Sequence, residues 1–218
     1  MNHLIACPIF KEELEAILPS NTNLSIHYMD RLIHNDAKKM LQELETATSS
    51  APESNIGLLV GRECFCEISI SDFANKINAN LIDEKNCIEA ILGLEKTERL
   101  QENRTTIHTR GWMEMITQSI KNDPINGDSI RIMLGHYEKL ILLDYGIKPY
   151  TDEEILSYYD LLEVPIEIES VHLKHFEKVL KKLFENHVTR ECGRSQEAIS
   201  SVLPLVDGPS AQPLCVVL

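Results

Sequence analysis

No stretch of this chain approaches the roughly 18 consecutive apolar residues that span a bilayer. Nor does a basic segment lead into a long apolar one near its start, so a secretory leader is not expected and a cytosolic (cytoplasmic) setting is. Positive charge is scarce: 21 Lys and Arg stand against 34 Asp and Glu, a net charge of −13. Phosphate backbones and anionic lipid surfaces are bound by clustered cations, so non-specific nucleic-acid binding and membrane adsorption are not expected. Also missing are a Gly-rich phosphate loop of either common type, a Cys-x-x-Cys pair and an internal repeat of fixed period.

What remains is ordinary for a globular protein, with 43% hydrophobic and 25% charged residues over 218 positions, enough for one sizeable core. Apolar runs that read as strands begin at His3, Leu24, Ile56, Ala79, Thr105, Leu140 and Val164. Helical patterns alternate with them: Phe10, Leu14 and Ile17 in one, Met40, Leu41 and Leu44 in another, then Trp112, Met115, Ile116 and Ile120. Thr151-Asp-Glu-Glu154 has the form of a capping box, and Leu173, Phe176, Leu180, Leu183 and Phe184 form a last apolar stripe. Thr46–Ser54 reads as a loop, and Asn122–Gly127 as a turn. Strands alternating with helices predict an α/β domain with a mainly parallel open sheet and helices on both faces. Its expected span is residues 1–188, with residues 189–218 as a flexible, poorly ordered tail.

Without a secretion signal, the six cysteines read as reduced thiols rather than a disulfide scaffold. Three share a placement. Cys7, Cys64 and Cys87 each fall at or just after the C-terminal end of a strand. In a parallel sheet those ends lie along one edge, where open α/β sheets hold ligands. Three thiolates and an imidazole make a closed zinc set, and three thiolates alone suit an iron–sulfur cluster or another soft-metal site. His34, in the loop after the second strand, is the first choice of fourth ligand. Cys66 is an alternative to Cys64. His108 and Arg110 stand at another strand end and could line the same edge for a cofactor, where Arg110 and Arg62 are the only nearby cations. Trp112 reads as packing. Thiol chemistry is a second reading, since Cys87 starts a helix and Glu63 or His34 could serve as base. The bland reading of any one cysteine is a small buried hydrophobe. The chain ends Cys215-Val-Val-Leu218, which matches the prenylation pattern; a metal-free interaction module attached to membrane through Cys215 is the third reading.

Taken in order, several short segments resemble the DUF1638 family, small α/β proteins often encoded beside corrinoid-dependent methyltransferases of methylamine metabolism. They are Ile5-Ala-Cys7 with Glu12-Glu-Leu14, Leu32-Ile-His-Asn35, Leu58-Leu-Val-Gly-Arg-Glu-Cys64, and Asn86-Cys87 with Leu92-Gly93. Thr109-Arg-Gly-Trp112 and Gly135-His-Tyr137 with Leu140-Ile-Leu complete the set. The family's glycines around its second cysteine are Arg62 and Phe65 here, and its Pro-Arg-x-His-Asp before the third is Ile82-Asp-Glu-Lys-Asn86. The resemblance picks out the same three cysteines. It implies a place near corrinoid or one-carbon methyl transfer, with a corrinoid or a methyltransferase protein as partner.

Overall fold

The computed structural model describes residues 2–19, 23–30, 37–51, 55–64, 69–122 and 124–193. β1 (Asn2–Ala6) passes through a 3-10 turn (Pro8–Phe10) into α1 (Lys11–Ile17), followed by β2 (Leu24–Tyr28) and α2 (Ala37–Ser50). Next come β3 (Asn55–Leu59), α3 (Ile70–Lys76), β4 (Asn80–Leu81), α4 (Cys87–Leu92) and α5 (Leu94–Leu100). β5 (Thr105–His108), α6 (Arg110–Asn122), α7 (Pro124–Leu134) and β6 (Lys139–Asp144) lead to α8 (Asp152–Leu162), β7 (Ile166–Ser170) and α9 (Lys174–Gly193).

Every strand pairing is parallel, as the α/β reading requires, but the strands divide between two sheets. The first has the order β2-β1-β3-β4 and the second β5-β6-β7. β4 pairs with β3 over only two positions, Gly57 with Asn80 and Leu58 with Leu81. So short a strand leaves little edge on which β5 could build. Leu4, Ile5, Ala6, Leu58 and Leu59 are fully buried, the continuous apolar run expected where both faces of a parallel sheet are covered. Phe10 stacks on Phe176 of α9 with ring centroids 5.1 Å apart.

Two sequence readings are corrected. The helix expected to give way to a loop at Thr46 continues through Ser50. Its Thr46, Thr48, Ser49 and Ser50 hydroxyls donate back to carbonyls three or four residues earlier, which satisfies them inside a helix. The turn expected over Asn122–Gly127 is largely the start of α7, with Pro124 in its first position; there proline's fixed φ suits a helix and its missing N–H costs nothing. The capping box at Thr151 forms, with Glu154 N donating to Thr151 Oγ1 and Thr151 N to Glu154 Oε2. α9 runs to Gly193, past the start of the expected tail at residue 189, and residues 194–218 lie outside the described residues. Among the described residues no helix is long and apolar enough to cross a membrane.

The turn after β1 of the first sheet packs against α6, the helix that follows β5 of the second. Gly111, in the first turn of α6, lies so close to the turn after β1 that a Cβ there would sit 2.5 Å from the Ile9 carbonyl oxygen. Only glycine permits that approach, and through it the strand ends of the first sheet face those of the second.

Candidate functional site

In the first sheet the chain leaves β1 toward β2 on one side and then crosses to β3 on the other. The crevice between the carboxyl ends of β1 and β3 is thus a topological switch point, where open α/β sheets bind ligands. Cys7 follows β1 directly and is tied down by its N–H to the Leu59 carbonyl (3.0 Å). The loop after β3 is bound to the loop before α4, Arg62 N to Glu84 O (3.1 Å) and Glu63 N to Lys85 O (3.0 Å). These bonds bring Cys64 beside Cys87. Gly61 makes the contact possible: a Cβ on it would fall 2.4 Å from the Lys85 carbonyl oxygen and 2.6 Å from Cys64 Sγ. Asn86 caps α4 by accepting from Glu89 N (2.9 Å), which fixes Cys87 as the first helical residue.

The three thiols form no disulfide and share one neighbourhood. Cys7 and Cys87 are buried and Cys64 is partly exposed. Burial pushes the Cys7 thiol well up, helped by the nearness of Cys87 and Cys64. Burial likewise pushes Cys64 to about 11, and burial with the neighbouring Cys64 pushes Cys87 to about 12. Each sulfur nonetheless has an N–H turned toward it: Ile9 N at Cys7, Cys87 N at Cys64 and Trp112 Nε1 at Cys87 (3.0 Å). Donors of this kind favour the anionic sulfur, so the pocket is arranged for thiolate while keeping thiols protonated in its present form.

Glu13 is the group that sequence reasoning missed. It lies in the short helix after Cys7, has no exposed surface, and acts electrostatically on both Cys7 and Cys87. Burial raises its carboxyl to about 7. The Tyr145 hydroxyl, just past β6 in the second sheet, is close enough to interact with it. Even so, neither Glu13 oxygen nor that hydroxyl makes a hydrogen bond of acceptable geometry among the described residues. A signal for Glu13 was present, because Glu12-Glu-Leu14 belongs to the segments that carry the family resemblance.

The Thr109-Arg-Gly-Trp112 segment resolves into four tasks. Thr109 caps α6 by accepting from Trp112 N (3.2 Å). Gly111 allows the approach to Ile9, and Trp112 supplies the N–H to Cys87. The buried Arg110 pairs through Nη1 with Glu154 (2.7 Å), has Glu12 at 3.6 Å and lies over the Tyr150 ring at 4.2 Å. Its Nη2 donates to the Lys148 carbonyl (3.0 Å). His108 is buried at the end of β5, with Nδ1 2.8 Å from the Tyr158 hydroxyl and its ring stacked on Trp112. Burial pushes its pKa down to about 3, so the imidazole is neutral. Both residues read as cofactor-lining groups thus stand at this junction, and both are engaged with protein partners.

Of the remaining expected site residues, His34, Cys66 and Cys215 lie outside the described residues. Glu63 is half exposed and pairs with Arg62 at 3.7 Å. Among the described residues no group of three or more His, Cys, Asp or Glu side chains is placed to hold a metal ion. Thiol chemistry by itself suits a metal that binds sulfur. A cavity of about 220 Å³ opens beside the junction, lined by Pro8, Ile9, Glu12, Arg110, Gly111 and Lys148 among others.

The family model for "Protein of unknown function (DUF1638)" matches residues 28–180. The chain belongs to the DUF1638 family. The matched span includes Cys64, Cys87 and Trp112, and it begins after Cys7 and Glu13. No curated protein and no solved structure matches the chain.

Proposed function

We propose that this DUF1638 protein is a cytosolic metal-binding protein, in which Cys7, Cys64 and Cys87 hold a zinc ion or an iron–sulfur cluster at the edge of the first sheet. The observation that carries the reading is the gathering of three thiols from the segments that follow three separate strands, each with an N–H donor at its sulfur. A zinc ion held this way would organise the edge or act as a Lewis acid, and a cluster would carry electrons. The protein's part is to supply the sulfurs, exclude water from them and balance their charge through N–H groups. The link to corrinoid-dependent methyl transfer, with a corrinoid or methyltransferase protein as partner, rests on the family resemblance.

A thiol enzyme is less well supported. A nucleophilic cysteine works as thiolate, and all three thiols are raised rather than lowered. A bound metal removes that difficulty because it deprotonates a ligating thiol outright. The deciding experiment is anaerobic purification followed by metal analysis and a visible spectrum. Stoichiometric zinc or a brown chromophore is expected, and either should disappear on Cys64→Ser or Cys87→Ser. A colourless, metal-free protein whose melting ignores both added zinc and chelator would sink the reading.

A further inference from the structure

We infer that the cavity of about 220 Å³ beside the junction binds a small zwitterion of the α-amino acid class. This site is separate from the proposed metal site and does not depend on it. Pro8, Ile9 and Gly111 give the cavity apolar or bare-backbone walls, and Glu12, Arg110 and Lys148 bring charge to it. Lys11 and Glu15 also line it; they pair with each other at 3.9 Å with more than half of each side chain exposed, and so stand at its mouth. With Glu114, three carboxylates stand against three cations. A ligand with both poles and no net charge complements such a lining.

The floor holds a mismatch that such a ligand would close. The Arg110 side chain is only 5% exposed, and a buried guanidinium needs acceptors for its N–H groups. Nη1 and Nη2 have theirs in Glu154 and the Lys148 carbonyl. Nε has none among the described residues. The Glu12 Oε2 that faces it stands 3.6 Å away, too far for a hydrogen bond. Glu12 is 21% exposed, so its side chain has room to turn and admit a ligand group between the two. An α-amino acid carries its ammonium and carboxylate one carbon apart. Its carboxylate would accept from Arg110 Nε and the Lys148 ammonium, and its ammonium would donate to Glu12. The volume equals about seven waters at roughly 30 Å³ each, room for an amino acid with a short side chain lying against Pro8 and Ile9. Binding displaces water and involves no covalent step.

The test titrates the full chain with L-alanine by calorimetry at neutral pH. Propionate, which lacks the ammonium, and ethylamine, which lacks the carboxylate, serve as single-pole probes. L-Alanine is expected to bind, and each single-pole probe to bind about 10-fold or more weakly, as the loss of a hydrogen bond between charged groups implies. Glu12→Gln and Lys148→Met should each weaken L-alanine by about 10–100-fold. Lys148→Met leaves the carbonyl that Arg110 holds in place, so it reads the site even if Glu12→Gln fails to fold. Absence of binding by L-alanine, glycine and L-serine up to about 10 mM overturns the inference. So does propionate or ethylamine binding as well as L-alanine, or wild-type affinity for L-alanine in Lys148→Met.

Discussion

The strand-end segments on either side of the Gly111 contact are finished differently. On the second sheet's side, Arg110 is bound by a carboxylate, by backbone carbonyls and by the Tyr150 ring, His108 by Tyr158, and the α6 N-terminus by Thr109. On the first sheet's side stand three protonated thiols, two of them buried, and a buried carboxyl with both oxygens unpaired among the described residues. Burying a polar group unpaired costs about 1–3 kcal/mol, so evolution of stability alone has no reason to keep Glu13. The better-paired edge behaves as scaffold, although Arg110 Nε and the Tyr145 hydroxyl on it lack a hydrogen bond among the described residues, and the edge that holds Glu13 is where something is left to bind.

The strongest way to break that comparison is to unmake the scaffold. Arg110→Ala leaves Glu154, Glu12 and the Lys148 carbonyl facing a buried hole, and should lower unfolding free energy by about 3–5 kcal/mol in urea titration. Arg110, bonded to Glu154, holds that carboxyl below its usual range. That contribution is present above the ordinary carboxylate value of 4.5 and is lost as pH falls through the lower folded value. The gap between wild type and Arg110→Ala should therefore narrow as pH drops from 6 to 3. A loss that stays constant over that range would show that packing, rather than the ion pair, sets the cost.

The opposite sign is expected on the unsatisfied edge of the metal-free protein. Glu13 titrates near 7 when folded, against 4.5 as its ordinary value, so the folded state holds a proton that the unfolded state releases. Stability from this group is intact below 4.5, falls as pH rises through the window and stays lost above about 7. Glu13→Gln should remove the slope and stabilise the metal-free protein at pH 8 by up to about 3 kcal/mol, with no gain at pH 4. A destabilised Glu13→Gln at pH 8 would mean that the carboxylate already has a stabilising partner, and the contrast between the edges would be lost.

Much of this was legible in the sequence because its signals are local. Strand–cysteine spacing, the Thr151 capping box and the apolar stripe of Trp112, Met115, Ile116 and Ile120 each depend on residues a few positions apart. The helical run through Thr46–Ser50 was not legible: hydroxyl residues favour loops by bonding backbone, and here those same bonds fold back onto the helix. The split into two sheets depends on how short β4 is, which a strand-like apolar run does not reveal. Glu13 and Arg110 look like surface charges in sequence. They are buried because Gly111 lets α6 lie against the turn after Cys7, a contact between residues about a hundred positions apart.

The smallest expected effect probes whether the edges are independent. Trp112 belongs to both, stacked on His108 at 5.9 Å and donating to Cys87 at 3.0 Å. Tyr158→Phe removes the hydroxyl at His108 Nδ1 and strands a buried ring nitrogen, a loss of about 1–2 kcal/mol at pH 8. Because burial holds His108 near 3 when folded, against 6.5 ordinarily, wild type should already lose stability as pH falls below 6.5. If the hydroxyl serves only the scaffold, Tyr158→Phe should melt earlier yet bind cobalt(II), a spectroscopic stand-in for zinc, with unchanged affinity and spectrum. A weakened or spectrally altered cobalt complex would show that the paired edge sets the Trp112 N–H on Cys87, and that His108, through its stacked neighbour, tunes the sulfur it does not touch.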